Sequence, residues 1–391
     1  MPPPPAVTIS KIEVISLAAS FVDAYGEEPV PSWMLFPASS HAVLPRRGQY
    51  AAVVRIEADD GTIGIGESYG LPSPEVPAAV IRTILAPLIV GQDALATTAI
   101  WERMYQAQAA AGHNRGFFME AIAGIDLALW DLRGKLLGQP VHRLLGGPIR
   151  DRVPCYASPV ALFPDPQLSA ARAREFLDLG FSRIKVKIGR GRREDARHLA
   201  AVVAEVGTDT EVMVDANCAY DLDEATAVAR VLDDLGIRWF EEPLAVDDLA
   251  SLGELRRRTG LTIVNGETHF TRFDTRDSIA AGAVDVVMPN LTRCGGITEA
   301  VRIAAYASAH HVDVSPHGVG SGIGLCAALQ FIGGIPNVRP YEYNQLLNPL
   351  REKLLRTPPV FADGFLEIPS TPGLGVELDD DVVDRYTTSR G

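Results

Sequence analysis

The chain has 391 residues, 47% of them hydrophobic, which allows one large or two medium domains around a sizeable core. A formal net charge of −13 removes the basic footprint that DNA, RNA and anionic membranes require, so none of these is an expected partner. The four cysteines are far apart and form no CxxC pair, so neither a disulfide framework nor a zinc site is suggested.

The N-terminal MPPPPAVTIS lacks the marks of a secretion signal. No uncharged run approaches the roughly 18 apolar residues of a membrane span, so a soluble cytoplasmic protein is expected. Residues 11–20 (KIEVISLAAS) and 50–58 (YAAVVRIEA) read as strands. Asp60-Gly61 marks a hairpin, continued by TIGIGES. Between the first two strands, residues 25–47 are irregular and rich in Pro, Ser and aromatics. A loop of that length reads as a functional lid, with a disordered insertion as the alternative. A helix is expected over 77–90, stopped at Gly91, and another from near Glu120. In the second, Ile122, Ile125, Leu129, Leu132 and Leu136 share one face. Residues 1–135 therefore read as an α+β unit that caps the rest of the chain.

From Val153 the pattern changes. Strand candidates fall at 153–158, 183–188, 211–216, 238–243, 261–267, 285–290, 312–317 and 338–343, with helical stretches between them. Eight strands with intervening helices predict a modified TIM barrel. The eighth lacks a full helix after it, so the expected form is (β/α)7β, over residues 136–345. The Gly/Pro-punctuated remainder, 346–391, reads as a return onto the capping unit.

Asp215, Glu241 and Glu267 close three successive apolar runs and lie 26 residues apart in turn. Equal spacing of one strand–helix unit puts them at one position on three neighbouring strands. A single carboxylate there is commonly a cap, but three at equal spacing argue for a divalent site. Hard oxygen ligands suit Mg²⁺, with Mn²⁺ possible. Lys185 and Lys187 flank Val186, so both point to one side of their strand. Mutual repulsion and a nearby cation are expected to lower their pKa values and make one of them a base. His317 ends the seventh strand, across the barrel from Lys187, with Asn290 and Glu342 at the ends of the sixth and eighth. The alternating glycines after His317 do not form GxGxxG, since Ile323 takes the sixth place. Such a helix start could hold a substrate carboxylate or simply make a tight turn. The chemistry that fits is removal of a proton next to a carboxylate, with a divalent cation stabilising the enediolate.

These residues resemble the enolase superfamily, and within it the mandelate racemase/muconate lactonizing enzyme-like branch. The resemblance rests on KxK at 185–187, DAN at 215–217, EEP at 241–243, GE at 266–267, His317, and the helix IDLALWDLRGK at 125–135. It covers nearly the whole chain. It implies that Asp215, Glu241 and Glu267 bind Mg²⁺, that Lys187 is the base on one face, and that Lys185 lies near the substrate carboxylate. It further implies that His317 is the acid/base on the other face, that Asn217 lines the substrate site, and that Glu342 hydrogen-bonds the enediolate. Segment 25–47, with Tyr25, would cap the site. His41, Arg46 and Arg115 are candidate contacts to acidic sugars, each equally readable as a surface residue. Relatives of this kind form homo-oligomers, dimers or octamers. The resemblance also implies a Lys/His pair of acid–base groups acting with Mg²⁺.

One position departs from the family pattern. Where the family pairs its histidine with an aspartate, this chain has Asn290. An amide orients His317 but does not stabilise its cation, so His317 is expected to act as an acid or donor rather than as a base. The first expectation is an acid-sugar dehydratase. Epimerisation and cycloisomerisation of a sugar-acid lactone use the same enediolate, and a metal-binding homologue without catalysis is the reading of another class.

Overall fold

The computed structural model describes residues 7–25 and 47–391. Of the expected lid, residues 26–46, with His41 and Arg46, lie outside the described residues. Tyr25 closes the short helix Phe21–Tyr25.

Strands β1 (Ile9–Ser20), β2 (Gly48–Ala58) and β3 (Ile63–Ser68) form an antiparallel meander. Its β2–β3 turn is set by Gly61 at φ +86° and by Asp60 Oδ1, which accepts from the Thr62 amide at 2.8 Å. The two-residue period of the strands divides their side chains between two cores. Val14, Val54 and Ile56 join the core of the capping domain, while Ile15, Leu17 and Val53 join that of the barrel.

The expected helix over 77–90 runs as Glu75–Val80, a π turn Ile81–Leu85, and Ala86–Ile89. Pro87 has no N–H to donate to the preceding turn, which accounts for the wider turn just before it. Helix Phe117–Leu136 differs from the one-faced helix expected. Ile122, Ile125, Leu129 and Leu132 do face the capping core, but Leu127 and Trp130 belong to the barrel core on the opposite side. The helix is buried on both faces because the barrel helix Gly296–Ala309 packs against it; Trp130 Nε1 donates to Thr298 Oγ1 at 2.8 Å.

The barrel strands are β4 (Arg152–Val160), β5 (Arg183–Lys187), β6 (Glu211–Asp215), β7 (Trp239–Glu241), β8 (Thr262–Asn265), β9 (Val286–Val287), β10 (Asp313–Val314) and β11 (Tyr341–Asn344). They are parallel and ordered as in the sequence, and β11 lies beside β4. A parallel bridge between Val314 and Val338 links the remaining edge. Among the described residues, seven helices alternate with these strands, and β11 leads only into the short helix Pro349–Glu352. This is the (β/α)7β form.

In β5, Ile184 and Val186 face the surrounding helices and join the main core, which leaves Lys185 and Lys187 on the inward side. Tyr156, Met213, Trp239, Val264, Val286 and Met288 form a separate apolar layer inside the barrel.

The tail divides. Strand β12 (Phe361–Ala362) pairs with β13 (Phe365–Glu367), and β13 lies antiparallel to the start of β4. Strand β14 (Thr387–Arg390) adds antiparallel to β1. Among the described residues, no helix is long and apolar enough to cross a membrane.

Candidate active site

Asp215 ends β6 and Glu241 ends β7, while Glu267 lies two residues beyond β8, just past Gly266. One oxygen from each lies within 4.8 Å of the other two. Asp215 and Glu241 are fully buried and Glu267 is partly exposed. Trp239 Nε1 donates to Glu241 Oε2 at 3.1 Å, and the Asn217 amide donates to Asp215 Oδ1 at 2.9 Å. Both contacts orient an oxygen toward the cluster.

The lysines stand on the β5 side. Lys185 Nζ lies 2.5 Å from Glu241 Oε1, 2.7 Å from Glu342 Oε1 and 3.6 Å from Asp215 Oδ2. Lys187 Nζ donates to Asp215 Oδ2, and to Asn217 Oδ1 at 2.8 Å. The side chain of Lys185 has no exposure and that of Lys187 has 20%, so Lys187 is the one that reaches solvent.

The lowered lysine pKa values expected from mutual repulsion are not what the site produces. Burial alone would lower both. For Lys185, the charges of Glu241 and Glu342 outweigh burial and hold it well above its ordinary range. For Lys187, Asp215 has the same effect. Reciprocally, burial would raise Asp215, but Lys187 and Lys185 bring it below the usual carboxylate range. Glu342 is likewise held well down, burial being outweighed by Lys185 first.

On the opposite side, His317 lies three residues beyond β10. Its Nε2 lies 3.1 Å from Glu267 Oε2 and 3.7 Å from Glu342 Oε2. The Gly318 amide donates to Glu342 Oε2 at 2.9 Å. Only glycine fits at 318, because a Cβ there would fall 1.9 Å from the Glu342 carbonyl oxygen. Asn290 Nδ2 contacts His317 Nδ1 at 2.9 Å and the Val319 carbonyl at 2.9 Å. Asn290 Oδ1 accepts from the Thr292 amide at 2.9 Å and the Thr292 hydroxyl at 2.7 Å. An amide N–H can only donate, so the carboxamide oxygen must face Thr292 and the NH₂ must face the imidazole. Nδ1 of His317 is thus the acceptor, and the ring proton sits on Nε2.

The glycine-rich helix start after His317 is not open to a substrate carboxylate. Glu67, at the end of β3, occupies it. Glu67 accepts from the Ser321 amide at 2.9 Å, the Ser321 hydroxyl at 2.6 Å and the Gly324 amide at 2.8 Å. Arg115, a candidate substrate contact in the sequence, is 65% exposed and paired with Asp274. The residues most visible in the sequence are the strand-end acids. Glu242 adjoins Glu241 but breaks the 26-residue spacing, so the sequence gives it no separate signal. It is buried, and burial together with Glu267, Asp215 and Glu241 pushes its carboxyl well above the ordinary range. Its Oε1 has no partner among the described residues. Asn217, Cys218 and Glu242 also adopt positive φ (43°, 63° and 40°), local strain of the kind that clusters at functional sites.

Five carboxylates thus surround two lysines. That excess of negative charge, with three oxygens converging from neighbouring strands, fits a hard divalent cation. The donor set contains no sulfur or imidazole that would favour a softer metal.

Comparison with known proteins agrees with this fold. Residues 30–146 match the family model described as mandelate racemase/muconate lactonizing enzyme, N-terminal domain, and residues 169–382 match the one described as enolase C-terminal domain-like. The chain belongs to the enolase superfamily, in its mandelate racemase/muconate lactonizing enzyme branch. It is 36% identical to the D-galactarolactone cycloisomerase of Agrobacterium fabrum, over 85% of this chain and 90% of that one. It is 34% identical to the arabinonate dehydratase of Saccharolobus solfataricus, over 85% and 89%. A racemase from Streptomyces coelicolor A3(2), solved with bound magnesium, superposes with a TM-score of 0.85 at 28% identity, covering 97% of this chain and all 100% of that one.

Proposed function

We propose that this chain catalyses Mg²⁺-dependent β-elimination on an acid-sugar carboxylate, with water as the leaving group. The observation that carries the reading is the Asn290–His317 contact, which leaves His317 a donor at Nε2. A donor on the face opposite Lys187 suits departure of a β-oxygen better than removal of a second α-proton.

Asp215, Glu241 and Glu267 would hold the cation, which when bound supplies a Lewis acid to the substrate carboxylate. Lys187 Nζ takes the α-proton. To act as a base the Lys187 ammonium first gives its own proton to solvent, which its 20% exposed side chain reaches; a cation held by Asp215 would favour that release by weakening the carboxylate's pull on it. Lys185, enclosed by Glu241 and Glu342, keeps those two carboxylates placed. The C–O bond at the β-carbon breaks with the Nε2–H of His317 donating a hydrogen bond to the leaving oxygen, which takes up a proton from solvent and departs as water. The resulting enol becomes a 2-keto acid. Asn217 accepts from Lys187 and so aims the base.

A second reading is cycloisomerisation, favoured by the 36% identity to a lactone cycloisomerase. It differs only in the leaving group, a ring oxygen in place of a hydroxyl. A panel of acid sugars and their lactones with Mg²⁺, monitored by proton NMR in D₂O, tests both. The expected result is a 2-keto-3-deoxy acid from one linear or lactone substrate. Lys187→Gln should lose α-deuterium exchange, while His317→Asn should retain exchange and lose elimination. Epimerised substrate without elimination would overturn the reading, and silence across the panel would favour a metal-binding homologue without catalysis.

A further inference from the structure

The two loops that carry Asn290 and His317 are held from outside the barrel. In the loop after β9, Tyr69 N donates to the Thr292 carbonyl at 3.1 Å, and Trp101 Nε1 donates to the Gly295 carbonyl at 2.7 Å. Asp126 accepts from the amide and hydroxyl of Thr298 at 2.9 and 2.6 Å, at the start of helix Gly296–Ala309. In the loop after β10, Glu67 takes three donors at the start of helix Gly322–Gly334. Glu67 and Asp126 are both fully buried and both come from the capping domain. Two carboxylates of one domain therefore seat the two helix starts that frame the Asn290–His317 pair.

From this geometry we infer that Glu67 is a positioning residue for His317. By fixing Ser321 and Gly324, it sets the turn whose Val319 carbonyl accepts from Asn290 Nδ2. That carbonyl and Thr292 together choose which way the Asn290 amide points, and the amide chooses the tautomer of His317. The capping domain thus governs the donor at His317 through three hydrogen bonds in series. Asp215 and Glu241 end their own barrel strands and Glu267 follows β8, so none of the three is carried by the turn that Glu67 fixes, and Glu267 meets that side only through its 3.1 Å contact with His317. The inference rests on the elimination reading for its kinetic consequence, but not for its spectroscopic one.

The test is Glu67→Gln, which keeps the shape but turns an N–H toward Ser321 or Gly324. Glu67→Asp, which withdraws the carboxylate by one methylene and leaves the Ser321 cap on the Ile323 amide in place, is the second variant should the first not fold. In protein labelled with ¹⁵N in the imidazoles, the wild type is expected to show His317 with Nε2 protonated and Nδ1 bare, assigned by loss of the signal in His317→Asn. In the variants this signature should average between the two nitrogens. Elimination turnover should fall roughly tenfold or more, because small misplacements of a catalytic group are costly, with KM and Mg²⁺ affinity held within about twofold. An unchanged His317 signature in a folded variant would overturn the inference, as would a fall in turnover that merely tracks Mg²⁺ affinity. If no acid sugar reacts with the wild type, the elimination reading fails, while the imidazole spectra still decide the role of Glu67.

Discussion

Asn290 donates its amide N–H to Nδ1 of His317 at 2.9 Å, because Thr292 claims the amide oxygen. An aspartate at that position would do the reverse and accept from an Nδ1–H. Asn290→Asp should therefore move the ring proton to Nδ1 and leave Nε2 as a lone pair. Elimination turnover is expected to fall about 100-fold, the usual scale of a lost hydrogen-bond donor to developing negative charge. Exchange of the α-proton in the opposite epimer should appear at the same time. Both are read by proton NMR in D₂O with each epimer, and elimination at the wild-type rate would contradict the assignment.

The three converging carboxylates predict a cation site that can be measured without any substrate. Asp215→Asn or Glu267→Gln should weaken Mg²⁺ by more than about 100-fold in titration calorimetry, since each removes one of three anionic ligands. In the wild type, Mg²⁺ at 100 times its Kd should add about 2.7 kcal/mol of stability, reversed by a chelator. A melting temperature that ignores both would count against the site.

Trp239 Nε1 donates to Glu241 Oε2 at 3.1 Å. Trp239→Phe keeps the ring in the barrel's inner apolar layer and removes that donor. Mg²⁺ affinity should drop by roughly tenfold, in the range of supporting contacts around metal ligands. Calorimetry on the variant checks this, and unchanged affinity would mean that Glu241 is oriented by Lys185 alone.

Asp126 gives a pH signature distinct from the active site. Burial pushes its carboxyl up to about 7, against the pull of the Thr298 donors. Unfolded, the group returns to about 4. Between these values the folded chain holds a proton that the unfolded chain has released. The contribution is complete below about pH 4 and is lost as pH rises through about 7. Asp126→Asn cannot titrate, so its stability relative to the wild type should rise between pH 5 and pH 8. Denaturant midpoints at the two pH values measure it, and a pH-independent difference would refute the assignment.

How legible each feature is in the sequence depends on how local its signal is. The alternation of Ile184 and Val186 with Lys185 and Lys187 is a two-residue period, and it places both lysines on one side. The equal spacing of Asp215, Glu241 and Glu267 brings three acids to neighbouring strand ends, but not to one register position: Asp215 pairs with Glu241, and Glu241 pairs with Val264, three residues before Glu267. Asn290 stands out because the pattern around it is otherwise intact. Glu67 cannot be paired in this way, because its partner Ser321 is 254 residues away and nothing near either residue announces the other. The direction of the lysine shifts is also hidden. It depends on Glu241 and, across the β4–β11 edge, Glu342 reaching Lys185, and on Asp215 reaching Lys187, which a reading of β5 alone does not include. Helix Phe117–Leu136 looks one-faced because its apolar stripe toward the sheet is regular, while Leu127 and Trp130 on the other side read as isolated.

That second apolar side of helix Phe117–Leu136 bears on how the molecule comes apart. Leu127 and Trp130 sit in the same cluster as Ile297 and Ile303 of the barrel, so the capping domain has no finished outer surface of its own. Separated near residue 140, either fragment would show water a greasy seam and tend to aggregate. Heat or denaturant should accordingly meet one cooperative body, melting in a single transition rather than in two steps.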